Sequence, residues 1–325
     1  MKSVKFITLG LCALFALAAC GDDTNTTSST AGTAGGGMGG EGGGAGGAGG
    51  AGGGAGGAGG SGGGSAAVEV QTHQSPDGFA VDSHLVVGAT EAVLVDGQFF
   101  SAEAQKVVEL VKTSGKKLTT VFLTHAHPDH YIGMEIIRQA YPDAQFVTTA
   151  KVLADYNTKK DATLANLQMA FPGAVPDKVV DFTALNGTSI LVDGYSLDVV
   201  EFQMAGESEV AAGLALKSMK AFIAGDLLYN QQHLWLAECN SPGWLTNLDT
   251  IAAMGFETIY PGHGPKGDAK IIDEDKKYIQ DAQPILDAAK TSDEAIANLK
   301  AAYPTWGGEG LLNVGTQSYF GACKK

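Results

Sequence analysis

The segment Thr124-His125-Ala126-His127-Pro128-Asp129-His130 gathers three of the chain's seven histidines, with one carboxylate, into six positions. Neutral imidazole and carboxylate are the donors that a borderline-soft divalent ion such as zinc accepts. His125 and His127 stand two apart on a chain leaving an apolar, β-branched run, so both side chains can face one side. Asp129 and His130 follow the kink that Pro128 imposes and turn toward a second point. Two further segments offer matching donors. AFIAGDLLYN places Asp226 behind a buried run and a glycine, a loop position where an unpaired carboxylate is costly without a cation. YPGHG places His263 after another short strand, between glycines that permit close backbone approach. Either alone is a weak signal, because an Asp after a strand is more often a helix cap and a His in a Gly loop is usually solvated.

The elements that must position these groups follow from periodicity and turn chemistry. HLVVGATEAVLVDG (84–97) reads as two short strands about a glycine-containing turn. SAEAQKVVELVKTSG (101–115) reads as a helix opening on a Ser cap and closing on Gly, and KLTTVFLT (117–124) as a buried strand. MEIIRQAY is a helix, AQFVTT a strand and 150–171 a long helix. TSILVDG, YSLDVVEFQM, VAAGLALKS and MKAFIAGD form a run of strands; PGWLTNLDTIAAMG and IIDEDKKYIQDAQPILDAAK return to helix, with ETIYPGHG as a short strand and loop between them. Such alternation predicts an α/β class.

THAHPDH, then an Asp closing a strand in AGD, then a His in PGHG resembles the metallo-β-lactamase superfamily of metallohydrolases, over essentially the whole globular part. The resemblance implies an αββα sandwich with two metal positions at the sheet edge. It gives His125 and His127 to the first metal, Asp129, His130 and His263 to the second, and makes Asp226 the bridge. It also implies zinc, as two ions or as one, and carbonyl hydrolysis by a metal-bound hydroxide that Asp129 orients. Iron suits the same donors. Tyr229, three residues past Asp226, resembles a tyrosine of the superfamily's acyl-homoserine lactone hydrolases, and His233 follows in the same loop; both can instead belong to an aromatic patch under that loop.

One family member is absent. The third histidine for the first metal normally stands between the HxHxDH motif and the bridging Asp, but this chain has Gly206-Glu207-Ser208 there and no histidine between His130 and His233. Glu207 ligates the first metal through a carboxylate oxygen, or only the second position is filled, or Glu207 is solvated and the fold has left catalysis. In the first case, two divalent charges are balanced by Asp129, Asp226, Glu207 and one hydroxide, leaving a weaker Lewis acid than a three-histidine site.

The ends and composition bound the rest. Residues 1–19 read as a signal peptide with Lys2, Lys5, an apolar stretch and Leu17-Ala18-Ala19 before Cys20, resembling a bacterial lipobox, so cleavage and lipidation at Cys20 are expected. Residues 20–66 read as a Gly/Ala-rich flexible tether spanning roughly 35–40 Å, and 67–325 as the domain that resembles the metallo-β-lactamases. The expected location is the bacterial cell envelope, lipid-anchored. Cys12 leaves with the signal; Cys239 and Cys323 either pair or stay as two buried thiols. A net charge of −14 argues against a phosphate-backbone partner and favours a small neutral or modestly charged substrate, and the tethered location puts lactones, esters and β-lactams first. The alternatives of another class are a metal-binding or sensing lipoprotein without turnover and an iron redox enzyme. Oligomeric state is not encoded in any visible feature.

Overall fold

The computed structural model describes residues 67–324. The signal peptide, Cys20 and the tether lie outside the described residues. Strands β1 (Glu69–Gln74), β2 (Asp82–Val87) and β3 (Glu91–Val95) lead into helix α1 (Ser101–Ser114) and strand β4 (Lys117–Phe122). Next come α2 (Pro128–Tyr131), α3 (Met134–Ala140), β5 (Gln145–Thr148), α4 (Ala150–Ala170) and β6 (Thr183–Ala184). The second half runs β7 (Ser189–Val192), β8 (Tyr195–Phe202), β9 (Ala211–Leu216), β10 (Ala221–Tyr229), α5 (Ser241–Met254), β11 (Thr258–His263), β12 (Gly267–Asp268), α6 (Lys270–Ala288), α7 (Ser292–Ala302) and α8 (Glu309–Ala322).

Two six-stranded sheets result, ordered β1-β2-β3-β4-β5-β6 and β12-β11-β10-β9-β8-β7. Parallel pairing joins β3 to β4, β4 to β5, β5 to β6 and β10 to β11. Val86, Val93, Val95 and Phe122 of the first sheet meet Val192, Leu197, Leu214 and Ile223 of the second in one apolar cluster between the sheets. Strands buried on both faces explain the unbroken apolar runs of AVLV and AGLAL. A second cluster joins α1 (Val107, Val111) and α6 (Ile272, Ile279) to the sheets' other faces, completing the αββα sandwich.

Two local expectations need correction. Ser101 is the first residue inside α1 rather than its cap; Phe100 caps it without a side-chain hydrogen bond, whereas Gly115 closes it in the left-handed conformation, φ 66°, as expected. Asp226 lies within β10, which continues to Tyr229, and not in a loop after it. The β10–β11 register slips on both sides of Gly225, whose φ is +53°, and this bulge aims Asp226 at the end of the sandwich.

Cys239 and Cys323 are bonded, with a Cα–Cα distance of 5.5 Å across a sequence separation of 84. The bridge ties the segment after β10 to the end of α8.

Candidate metal centre

The loop after β4 delivers His125 and His127, and the single turn of α2, opened by Pro128 at its first position, swings Asp129 and His130 inward. His125 also bridges Ala211 at the start of β9, closing the first sheet onto the second beside the loop that carries Glu207. Asp226 comes from β10 and His263 from the end of the neighbouring β11. All seven residues expected from the sequence thus converge on one end of the sandwich.

They form two groups that share Asp226. Donor atoms of His125, His127, Glu207 and Asp226 lie within 4.8 Å of one another, and so do those of Asp129, His130, Asp226 and His263. In the first group His127 Nδ1 stands 2.7 Å from Glu207 Oε1, while His125 Nε2 is 3.7 Å from Glu207 Oε2 and 3.6 Å from Asp226 Oδ2. In the second, Asp226 Oδ1 is 2.9 Å from His130 Nε2, its Oδ2 is 3.0 Å from His263 Nε2, and Asp129 Oδ2 is 3.5 Å from the latter nitrogen. The two Asp226 oxygens therefore face both groups.

Several of these contacts are short without being hydrogen bonds. His125 Nε2, both Glu207 oxygens and Asp226 Oδ1 are buried and lack a hydrogen-bond partner. Unpaired buried polar atoms each cost on the order of 1–3 kcal/mol, and more when charged, so four atoms without an aligned hydrogen bond at one point suit a common partner. Imidazole nitrogens and carboxylate oxygens are the donor set of a divalent ion such as zinc, and the residues present fit one. Charge placement agrees. Burial raises the Glu207 carboxyl, and burial likewise opposes charging of His127, which the adjoining Glu207 and Glu238 nevertheless hold well above the ordinary imidazole range. Burial also works against ionised Asp226, but His130, His263 and His125 outweigh it and keep Asp226 well below the usual carboxylate range.

The profile of the metallo-β-lactamase superfamily matches residues 76–263. This chain belongs to that superfamily. A probable metallo-hydrolase of Streptococcus pyogenes serotype M6 is 22% identical over 193 residues, 57% of this chain and 79% of that protein. A metallo-β-lactamase family protein of Thermus thermophilus superposes with a TM-score of 0.55 at 20% identity, covering 78% of this chain and 91% of its own. The B3 metallo-β-lactamase BLEG-1 gives 0.51 at 17%, over 65% and 99%. At these identities the structural likeness concerns the fold alone.

Behind the metallo-β-lactamase donor set sits a layer of supporting groups. His130 Nδ1 meets Asp96 Oδ2 at 3.0 Å, His263 Nδ1 meets the Phe79 carbonyl at 2.7 Å, and His125 Nδ1 meets Thr124 Oγ1 at 2.9 Å. Such partners fix each ring with Nε2 toward the other donors, where a divalent ion would be held. Asp96 also accepts from the Thr124 amide and hydroxyl, at 2.8 and 2.7 Å. Sequence reading passed over Asp96; its only signal is a carboxylate in LVDG at the end of a buried run, the same signal that singled out Asp226.

The structure does not bring His233 to the metallo-β-lactamase centre. Its Nδ1 pairs with the Tyr278 hydroxyl of α6 at 2.8 Å and its ring lies against Trp306, which follows α7, so it belongs to an aromatic cluster away from the donors. Tyr229 is fully buried, donates to Asp226 Oδ2 at 2.8 Å and stacks on His263 with ring centroids 4.7 Å apart. A cleft open to solvent leads to the donors, walled by Phe79, Leu167, Trp235 and Leu311, with Lys159 and Glu238 as further charged groups. The long helix and the C-terminal stretch do help to shape it.

One buried acid beneath the centre has a thermodynamic signature. Asp82 is inaccessible, makes no well-aligned hydrogen bond, and burial pushes its pKa well above the carboxylate range against a partial offset from Gln74. The folded chain keeps this proton while the unfolded chain releases it near pH 4, so the contribution of Asp82 to stability falls as pH rises above that point. Asp82→Asn should raise the melting temperature of chelator-treated protein at pH 7, with a gain that grows by up to about 1.4 kcal/mol per pH unit between the two pKa values and vanishes near pH 4. A pH series of thermal melts measures it.

Proposed function

We propose that the chain is a metal-dependent hydrolase of a small, uncharged or weakly charged carbonyl compound, a lactone, ester or β-lactam, held at the bacterial cell envelope by a lipid on Cys20. The observation that carries this reading is Asp226, whose two oxygens face two donor groups at the floor of an open cleft. Zinc, as two ions, suits the donors, with Glu207 completing the first group in place of a histidine. A divalent ion there would acidify its water and polarise the carbonyl. Asp129, at the cleft and 3.5 Å from His263 Nε2, is placed to accept the nucleophile's proton. The apolar walls of Phe79, Leu167, Trp235 and Leu311 seat the non-reacting part of the substrate. The carboxylates of Asp129, Glu207, Asp226 and Glu238 around the cleft oppose strongly anionic substrates.

Elemental analysis of purified protein, followed by chromogenic lactone, ester and β-lactam substrates with and without chelator, tests the reading. Chelator-sensitive turnover supports it; bound metal with no turnover on the panel makes the protein a metal-binding lipoprotein instead. Glu207→Ala should remove one metal equivalent, and unchanged stoichiometry would show that Glu207 is no ligand. Tyr229→Phe removes the hydrogen bond to Asp226 but not its donors, so turnover should fall about tenfold with metal content intact, the worth of a hydrogen bond to a charged group.

A further inference from the structure

The imidazole of His127 is gripped from both sides. Its Nδ1 faces Glu207 at 2.7 Å, and its Nε2 stands 3.3 Å from Glu238 Oε1. The same Glu238 oxygen accepts from Trp235 Nε1 at 3.3 Å, and the Trp235 ring lies edge-on to His127 with centroids 6.1 Å apart. Neither Glu207 nor the ring of His127 can turn without disturbing this pair. Two of the four histidine donors have a side-chain carboxylate as outer partner: Asp96 for His130 and, from the segment after β10, Glu238 for His127.

The segment bearing Glu238 has few ties of its own to the sheets. After β10 it runs without regular structure from residue 230 to 240 and is fastened to the C-terminal part of the chain. The His233 amide donates to the Gly307 carbonyl at 3.0 Å, and Trp235 packs so closely on α8 that a Cβ at Gly315 would stand 3.0 Å from its ring. Cys239, the residue after Glu238, has a φ of +60° and is bonded to Cys323 at the end of α8. A covalent tie thus begins one residue from the carboxylate that holds His127.

We propose that Glu238 is a positioning residue for His127 and that the Cys239–Cys323 bond keeps it in place, making ion retention in the His125–His127–Glu207 group dependent on the oxidised state of that bond. This rests on an ion being held by that group. When it is, Nδ1 points to the ion, Nε2–H donates to Glu238, and the carboxylate fixes tautomer and ring plane together. Reduction by a phosphine breaks the S–S bond, takes up two electrons from the phosphine and two protons from water, whose oxygen ends on phosphorus, and leaves two thiols. The segment then loses its covalent anchor, and Glu238 is free to leave His127.

Cobalt(II) titration of chelator-treated protein, read by d–d absorption and by competition with a chromophoric chelator, tests the proposal. Glu238→Ala should weaken one of two cobalt equivalents by about 10- to 100-fold and spare the other, the usual effect of removing an outer partner. Glu238→Gln should recover part of that loss, because its amide oxygen still accepts from His127. In wild type, a phosphine reductant or Cys239→Ser with Cys323→Ser should weaken the same equivalent, and should add nothing in Glu238→Ala. Circular dichroism confirms that each variant is folded. An unchanged cobalt titration for Glu238→Ala, or a reduction effect of equal size in Glu238→Ala and wild type, overturns the proposal. His127→Ala separates the two levels: if it loses an equivalent and Glu238→Ala does not, only the positioning role fails, whereas if it loses none the ion itself is absent from that group.

Discussion

Asp226→Ala should empty both metal positions at once, because one oxygen of Asp226 lies 2.9 Å from His130 Nε2 and the other 3.0 Å from His263 Nε2 and 3.6 Å from His125 Nε2. No other donor belongs to both groups. An ion contributes several kcal/mol of transition-state stabilisation in hydrolases of this kind, so turnover should drop on the order of a thousandfold or more. Metal content by elemental analysis should fall together with rate. Removing the carboxylate also leaves His130, His263 and His125 without the negative charge they surround, which adds an electrostatic cost in the metal-free protein. Retention of two equivalents by a folded Asp226→Ala protein would contradict the bridging role.

A single methyl group should do comparable damage at Gly262. A Cβ built there falls 1.9 Å from Asp226 Oδ1, 2.7 Å from the Gly225 carbonyl carbon and 2.8 Å from the Asp226 amide nitrogen. Two of the three obstacles are backbone, so Gly262→Ala must part β10 from β11 or turn Asp226 out of the centre. Overpacking of this kind costs about 1–3 kcal/mol and sometimes more, and the melting temperature should fall by roughly 5–10 °C. Metal binding should fail as well, since the displaced group is the shared donor. Gly115→Ala is the control. It places a Cβ in open space at a left-handed position, φ +66°, so it should cost about 1 kcal/mol and leave metal content alone. A Gly262→Ala protein with wild-type metal content would mean that the strands separate freely there.

The donors were legible because chemistry left them few disguises. Histidine is scarce in this chain, and three of them with an Asp in six positions after a buried run have little structural purpose. Glu207 was legible only by its place in the family order, and the structure shows it 2% exposed rather than solvated. What stayed hidden depends on contacts distant in sequence. Asp96 takes its role from Thr124 and His130, and nothing in LVDG states that. Position alone suggested that His233 joins Tyr229, but the chain leaves β10 with Gln231 at φ +54° and carries His233 toward Tyr278 instead. The Ser101 cap failed for a similar reason: helix starts shift by a residue when the preceding backbone is set by packing, and Phe100 is packed against Phe99 and Phe171. The cysteine pair could not be decided from spacing, because α8 had first to bring Cys323 back across the molecule.

The ligand set is divided between the two sheets. Residues 125 to 130 travel with the first, while Glu207, Asp226 and His263 travel with the second. Neither half has a complete set of donors, so the capacity to hold an ion is a property of the closed sandwich and not of either lobe. Bound ion then acts as a rivet across a seam, stabilising the joined state by mass action and slowing any opening at that end. In refolding, capture by the full donor set follows the meeting of the lobes, which makes it a report of their docking.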